Sequence, residues 1–439
     1  MRKSWLASTV LVMALAAAGC GGGGAQTQGE NNNAGTGNGG EKVKLTIESW
    51  RTDDMKVWNE VILPAFEAKY PNIQVEFKPT QNTEYGTSLS TKLSAGTAGD
   101  LIMVEPYDFR IDMAKNGSFA KLNDLEGLNK GNFPEMALDA WKLDDGTQFA
   151  VPLASVLHGY IYNKAIFDEL KLQVPTTREQ FFQVLDAVKK DGKYTPFAMG
   201  TADQFVPGLL GFNLNVPGFN KGEEGRLALI EGKQKFTDAP YVQTWEFLRK
   251  LADYMPDGYE SITYADMQNL FMSGQAAVYP AGSWEISIFK DKIGSQFEYG
   301  AFPLPVEKEG DTGYINNHPD SGMALNAATK HPEEAKQFLQ WLMTPEFAEL
   351  WNNALPGFFS LSSHKVELKD PLAQQFMSWV KDGNSSPRLA YQLLSRGEPN
   401  TDAELGRISA LVMNKKMEPA EAAKTIQDGL DGWFKPQAK

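Results

Sequence analysis

Over about sixty residues, the hydrophobic pattern of this chain changes repeatedly between the period of a strand and that of a helix. Residues 43–49 and 73–77 alternate between apolar and polar side chains, which is typical of half-buried strands. Helix patterns follow from about Thr52 and over about 84–94, and residues 101–104 form the continuous apolar run of a strand buried on both faces. Strand, helix, strand, helix and strand in this order predict a parallel sheet in an α/β fold.

The same kind of pattern returns later in the chain with different residues. Short strands are predicted at 160–162, 276–279 and 323–325, and a helix at 332–343 carries its apolar side chains on one face. The C-terminal third is predicted to be mainly helical. Because 439 residues are too many for one compact core, we expect two domains.

Composition excludes several classes of function. The chain has 42 Lys and Arg against 55 Asp and Glu, a formal charge of −13, whereas a nucleic-acid scaffold needs a surplus of basic residues. A single cysteine excludes an internal disulfide, a CxxC redox site and a zinc site built on several cysteines. Four histidines leave little room for a histidine-based metal site. No cofactor and no nucleic-acid partner are therefore expected.

The N-terminus has the pattern of a secretory signal. Arg2 and Lys3 precede an apolar run over residues 5–18, which is shorter than the roughly 20 residues of a membrane-spanning helix. Residues 17–20 resemble the lipobox of bacterial lipoproteins, which implies cleavage before Cys20 and a diacylglyceryl thioether on its sulfur. The alternative is ordinary signal cleavage, with a cysteine that plays no part in anchoring.

The segment that follows Cys20 is predicted to be a flexible linker. Residues 21–40 are nearly all Gly, Asn, Gln, Thr and Ala, so they cannot bury enough apolar surface to offset the entropy lost on ordering. We therefore predict a signal peptide at 1–19 and a lipid-anchored linker at 20–41, which would hold a soluble body above a membrane surface.

The body of the chain contains short motifs that are weak individually but occur in a defined order. They are IESW (47–50), FEAKYPNIQV (66–75), LSAGTAGDL (93–101), YNK with Phe167 (162–167), PT with an FF helix (175–182), FMSGQAAV (271–278), GSW (282–284) and HPEEAKQFL (331–339). Together they span most of residues 43–360. This series resembles the bacterial extracellular solute-binding proteins of ABC importers, family 1, in the carbohydrate-binding branch.

The resemblance implies a periplasmic-binding-protein-like fold with two α/β lobes and a ligand cleft between them. It implies a hinge of three chain crossings, near Pro152–Ser155, Pro303–Asp320 and Ala354–Gly357. Lobe one would then contain residues 42–153 and 315–353. Lobe two would contain residues 154–314 and 354–439.

The resemblance also implies a function outside the cell. Such a protein captures a sugar or oligosaccharide in the cleft, closes around it and delivers it to the permease subunits of an ABC importer. We expect a monomer that is anchored to the cell membrane through Cys20 and catalyses no reaction.

The carboxyl ends of the first and third strands carry the first group of candidate ligand residues. A sugar ring has an apolar C–H face and a rim of hydroxyl groups, so it requires aromatic surfaces together with carboxylate, amide or guanidinium groups. Ligands of α/β sheets bind beyond the carboxyl ends of strands. The candidates there are Trp50, Arg51, Asp53, Glu105, Tyr107 and Asp108, of which Asp108 is a better match than Glu105. The competing interpretation is that Trp50 packs in the core and Arg51 pairs with Asp53.

A second group of candidates lies at the predicted crossings and in the predicted second lobe. His158 and Tyr160 come after the first crossing, Trp284 follows a Gly-Ser turn, and Asp320 lies at the second crossing. Trp284 resembles the stacking tryptophan of the family. The alternatives are that His158, Tyr160 and Trp284 are buried structural residues and that Asp320 only caps a turn.

Three other functions remain open from the sequence. A secreted glycosidase would need carboxylates on opposite sides of the scissile bond, but Glu105 and Asp108 come from one loop. The sequence has no GxSxG, HExxH or P-loop motif. A binding protein for another solute, such as a polyamine, phosphate or a metal, is the second alternative, and a surface adhesin or sensor is the third.

Overall fold

The computed structural model describes residues 42–128 and 131–436, so the predicted signal peptide, Cys20 and the linker lie outside the described residues. The strands are β1 Val43–Ser49, β2 Ile73–Pro79, β3 Leu101–Val104, β4 Ala150–Asn163, β5 Thr195–Phe197, β6 Ala276–Gly282, β7 Tyr299–Phe302, β8 Ile315–Leu325, β9 Phe359–Ser360 and β10 Ser385–Ser386. Among the helices of these described ranges, none is long and apolar enough to cross a bilayer.

Helices occupy most of the chain between the strands. They are α1 Met55–Val57, α2 Leu63–Lys69, α3 Asn82–Ser94, α4 Ile111–Lys115, α5 Glu135–Asp139, α6 Lys164–Glu169, α7 Arg178–Asp191, α8 Pro217–Asn220, α9 Glu223–Ile230, α10 Ala239–Leu251, α11 Tyr264–Met272, α12 Glu285–Ile293, α13 Pro332–Leu342, α14 Pro345–Ala354, α15 Pro371–Ser378, α16 Thr401–Met413 and α17 Pro419–Trp433. After β8 the α-helices are α13 to α17, and the strands there, β9 and β10, have two residues each, whereas the C-terminal third as a whole also contains β7 and β8.

The sheet is mixed rather than parallel throughout. Its order is β2-β1-β3-β8-β4-β6-β5, and β7 and β9 also pair with β4, whereas β10 pairs with β8. The first three strands are parallel, as their helical connections require, but β8 returns antiparallel between β3 and β4. The prediction of a parallel sheet therefore holds for β1 to β3. The prediction did not include an antiparallel strand at the position of β8, because β8 lies more than 200 residues after β3 in the chain.

Three distant segments meet where β4 is irregular. The register of β4 against β8 shifts between Pro152 and Ser155, and Ser155 lies opposite Pro319. On the same stretch, Ser155 also pairs with Phe359 of β9. The first two predicted crossings are therefore adjacent here, and β9 begins two residues after the third. The lobe boundaries themselves remain a prediction.

Two aromatic clusters fill the core on either side of this region. Trp58 stacks on Phe77 with ring centres 4.9 Å apart, and Trp351 packs against the same indole at 5.8 Å. On the other side, Phe181 of α7 and Phe302 of β7 pack together with ring centres 6.0 Å apart. These clusters hold the sheet rigid around the strand ends that carry the candidate site.

Candidate functional site

The end of β1 holds Arg51 in a tight ion pair. Its Nε donates to Asp54 Oδ2 at 2.7 Å and its Nη2 to Oδ1 at 3.0 Å, while the guanidinium carbon lies 4.8 Å from the centre of the Phe358 ring. Asp53 is exposed, so the alternative pairing of Arg51 with Asp53 is wrong. Nothing in the sequence favours Asp54 over Asp53, because both carboxylates lie within one helical turn of Arg51.

Trp50 is largely enclosed by its own side of the sheet. Trp50 is 8% exposed, and the centre of its ring lies 5.7 Å from that of the Tyr85 ring. The Tyr85 hydroxyl donates to the Met103 carbonyl oxygen at 2.6 Å, which fixes that ring. Most of the Trp50 side chain therefore packs in the core, in agreement with the competing interpretation given above.

The three candidates in the segment after β3 contact three different residues. Glu105 accepts a hydrogen bond from Arg110 of the same loop at 2.5 Å, whereas Tyr107 has a positive φ of 55° and packs against Tyr391. Asp108 Oδ1 accepts from Arg396 Nε at 2.8 Å. Burial raises the pKa of the Asp108 carboxyl to about 6, although Arg396 lowers it.

Aromatic rings form a continuous row that joins several of the candidates. We call the ring row Tyr107, Tyr391, His318, His158 and Trp284, with successive ring centres 5.1, 5.6, 5.2 and 5.4 Å apart. Three of its members were predicted from the sequence, and Tyr391 and His318 were not. The row connects the loop after β3 to the turn after β6.

Trp284 is oriented by a buried carboxylate through a tyrosine. The indole Nε1 donates to the Tyr264 hydroxyl at 2.7 Å, and that hydroxyl donates to Glu285 Oε1 at 2.5 Å. Glu285 is fully buried and also accepts from Tyr279 and Gln268, at 2.7 and 2.9 Å. Burial raises the pKa of Glu285, and these donors oppose the rise. The network fixes the plane of the indole.

Asp320 lies within electrostatic reach of two arginines. Burial raises the pKa of its carboxyl to about 6, Arg51 and Arg388 lower it, and Glu105 raises it. Arg388 Nε also donates to His318 Nε2 at 3.3 Å. The charges of Arg51, at the end of β1, and of Arg388, beside His318, therefore both act on the Asp320 carboxyl.

Tyr160 lies in the core and not in the site, which corrects the prediction. It is fully buried, its hydroxyl donates to Asn215 Oδ1 at 2.7 Å, and its ring stacks on Phe302 at 5.3 Å. The strand register explains this position, because Tyr160 pairs directly with Phe302 of β7. A hydroxyl that is already bonded and surrounded by phenyl rings offers nothing to a polar ligand.

Several site residues were missed by sequence reasoning. They are Asp54, Tyr264, Glu285, His318, Arg388, Tyr391 and Arg396. Asp54 and Glu285 directly follow the candidates Asp53 and Trp284, and His318 lies two residues before Asp320, so adjacency to a candidate was the usable signal for these three. Arg388, Tyr391 and Arg396 come from the irregular segment before α16, which has no motif.

A surface cavity of about 290 Å³ opens beside one end of the ring row. Its lining includes Tyr107, Asp139, Lys142, Asp144, Gln392 and Arg396. Arg396 Nη1 donates to Asp144 Oδ1 at 3.1 Å, so this arginine bridges two acidic residues at the rim. Within residues 42–128 and 131–436, no cluster of three or more His, Cys, Asp or Glu has the geometry of a metal site.

The mixed sheet and the candidate residues at its strand ends fit the solute-binding proteins that the sequence resembles. The family model described as bacterial extracellular solute-binding protein matches residues 49–349. Since this is more than half of the chain, the protein belongs to that family, and the resemblance found in the sequence is confirmed.

Curated relatives align over most of their length. The chain is 26% identical over 411 residues to the multiple sugar-binding protein of Streptococcus mutans, which covers 90% of each chain. It is 26% identical over 366 residues to the maltodextrin-binding protein MdxE of Bacillus subtilis, which covers 80% of this chain and 81% of the relative.

Solved structures share the fold. A protein from a study of xylan utilisation by Caldanaerobius polysaccharolyticus gives a TM-score of 0.75 at 20% identity, covering 88% of this chain and 99% of that one. The binding protein RafE in complex with raffinose gives 0.72 at 21% identity, covering 89% and 99%. The predicted two-lobed fold with its three-crossing hinge is thereby confirmed.

Proposed function

We propose that this protein is the extracytoplasmic receptor of an ABC importer, which captures a sugar between its lobes and delivers it to the permease. The ring row carries this proposal, because aromatic surfaces beside hydrogen-bonding groups suit the two faces of a sugar ring. Relatives named for multiple sugars, maltodextrin and maltotriose support the same ligand class. The proposal is a binding role without catalysis.

Paired charges favour an uncharged sugar over an acidic sugar or a polyamine. Arg51 is held by Asp54, Arg110 by Glu105, and Arg396 by Asp108 and Asp144. To bind at one of these pairs, a uronic acid would need a guanidinium group that is released from its carboxylate. A polyamine would need a carboxylate that is released from its guanidinium group. Either exchange costs the energy of a partly buried ion pair.

We propose that the lobes are divided as the resemblance implies, with residues 42–153 and 315–353 in lobe one and 154–314 and 354–439 in lobe two. On this division the Asp108–Arg396 pair and the Tyr107–Tyr391 contact join the two lobes. The site residues would then be Trp50, Arg51, Asp53, Glu105, Tyr107, Asp108, His158, Trp284 and Asp320. Closure adds affinity only through such contacts, which are made in the closed state.

We further propose that the receptor is a lipoprotein, cleaved before Cys20 and anchored to the cell membrane as a monomer. The lipobox-like residues 17–20 and the polar linker support this proposal. Replacing Cys20 by alanine should move at least nine-tenths of the chain from the membrane fraction to the soluble fraction. Retention of Cys20→Ala in the membrane, with the signal removed, would contradict the lipid anchor.

A thermal-shift panel tests the ligand class. The body of residues 41–439 is heated with neutral oligosaccharides (raffinose, maltotriose and a chitin oligosaccharide), a uronic acid, spermidine and divalent metals. A ligand at 100 times its Kd should stabilise the fold by about 2.7 kcal/mol. We expect a shift with a neutral sugar and no release of smaller sugars. A response confined to spermidine or metals would overturn the sugar proposal, and cleavage would restore the glycosidase.

A further inference from the structure

Two neighbouring buried side chains have hydrogen-bonding atoms without partners. Asn316 of β8 is 1% exposed, and neither its Oδ1 nor its Nδ2 has a partner among the residues that the structure describes. The Nδ1 atom of His158, which is 2% exposed, is also unpartnered there. A buried polar group left in this state destabilises the fold, because it has lost its hydrogen bonds to water without replacement. Three such atoms, on two strands that pair with each other, indicate a site for a group that forms hydrogen bonds.

Strand register places these side chains side by side. Leu157 pairs with Asn317 across β4 and β8, and Val156 pairs with His318. This pairing ends at Leu157 and Asn317, and the next residue of each strand, His158 and Asn316, has its side chain on the same face of the sheet as His318. Trp284 lies edge-on to His158 on that face, with ring centres 5.4 Å apart. Asn316 therefore lies on the face of the sheet that carries His158 and His318, although no motif in the sequence marks it.

The hydrogen-bond network determines which nitrogen atom of His158 carries the proton. His318 Nδ1 lies 2.8 Å from the Pro319 carbonyl oxygen, which can only accept, so that nitrogen carries the proton. His318 Nε2 is then an acceptor, and it faces Arg388 Nε and His158 Nε2, both at 3.3 Å. His158 Nε2 therefore carries its own proton, and Nδ1 is an acceptor. Burial and Arg388 hold the pKa of both imidazoles well below the usual value, so both are neutral.

We propose that Asn316 and His158 together bind one hydroxyl group of the sugar. The hydroxyl donates its proton to His158 Nδ1 and accepts a hydrogen bond from Asn316 Nδ2, and the Asn316 carbonyl oxygen accepts from an adjacent hydroxyl. A hydroxyl is the simplest group that both donates and accepts, whereas a carboxylate cannot donate and an ammonium cannot accept. The inference rests on the proposed function and makes Asn316 a residue that determines specificity within the same site.

The test compares Asn316→Leu and Asn316→Asp with the wild type by calorimetry, using whichever of raffinose, maltotriose and the chitin oligosaccharide binds the wild type best. Both variants should bind that sugar at least tenfold more weakly. Asn316→Leu should keep or raise the melting temperature of the ligand-free protein, because an unpartnered buried amide is removed. The aspartate variant keeps the size of the side chain and, in its ionised form at pH 8, has no donor, so its affinity at that pH tests the idea even if leucine does not fit.

Asn317→Leu is the matched control, since it alters the next residue of the same strand on its opposite face and should leave affinity unchanged. Among monodeoxy derivatives of the chosen sugar, one should bind the wild type and Asn316→Leu equally. Unchanged affinity in both Asn316 variants would mean that the amide holds water alone, and would overturn the inference. If no sugar binds the wild type, the proposed function itself fails, and the two failures are thereby distinguished.

Discussion

Replacing Trp284 by alanine should weaken sugar binding at least tenfold. The indole ends the ring row, and its Nε1 is held at 2.7 Å by Tyr264, which is itself anchored to the buried Glu285. A ring fixed in this way presents a flat face to the C–H surface of a sugar without losing side-chain entropy on binding. Titration calorimetry with the best sugar of the panel measures the loss. Trp284→Phe retains a ring and should lose less.

Trp245 provides the matched control for Trp284. It is fully buried in the core, and its Nε1 also donates to a side-chain hydroxyl, that of Ser409 at 3.1 Å. Trp245→Phe should lower the melting temperature of the ligand-free protein and leave sugar affinity unchanged. Trp284→Ala should weaken sugar binding and lower the melting temperature less than Trp245→Phe does, because opening of the proposed cleft would uncover the indole, which is 6% exposed here. A large loss of stability without loss of affinity in Trp284→Ala would identify it as a core residue.

Replacing Arg396 by alanine should weaken sugar binding about thirtyfold at pH 8, and less than threefold at pH 5. Arg396 pairs with Asp108, whose side chain is 6% exposed, so its removal leaves a buried carboxylate unpaired in the closed state. Breaking a fully buried pair costs about 3–5 kcal/mol, and we expect about 2 because the Arg396 side chain is 29% exposed. Calorimetry at both pH values provides the measurement.

The sign of this pH dependence follows from the pKa of Asp108. Burial already raises that pKa to about 6, and Arg396 opposes the rise, so the variant has a still higher pKa. At pH 5 the carboxyl of the variant is protonated and no unpaired charge remains, whereas at pH 8 it is ionised. An equal loss of affinity at both pH values would show that Arg396 acts through its size and not its charge.

Arg249→Ala is the control for Arg396. Its side chain has the same 29% exposure, and it pairs with Glu418 at 2.8 Å, away from the ring row. Affinity for sugar should not change in this variant at either pH. Since surface pairs contribute about 0–1 kcal/mol, its stability should change little.

The candidate site was predictable where a residue follows a strand and has a distinctive side chain. Trp284 and Asp108 were selected in this way, and the structure places both at ends of contacts that join distant segments. Tyr160 was selected by the same reasoning and is a core residue. Its position depends on the register of β4 against β7, and nothing in the sequence of β4 alone specifies that register.

The sequence by itself determined the fold class, the order of the first strands and helices, and the family, because hydrophobic period and motif order are local properties of the chain. The tertiary structure decided the partners: Arg396 reaches Asp108 across 288 residues, and His318 meets His158 across 160. Such pairs depend on how β4, β8 and the irregular segment before α16 pack together. No short stretch of sequence records that packing, so the ring row and the unpartnered amide of Asn316 were visible only in the folded chain.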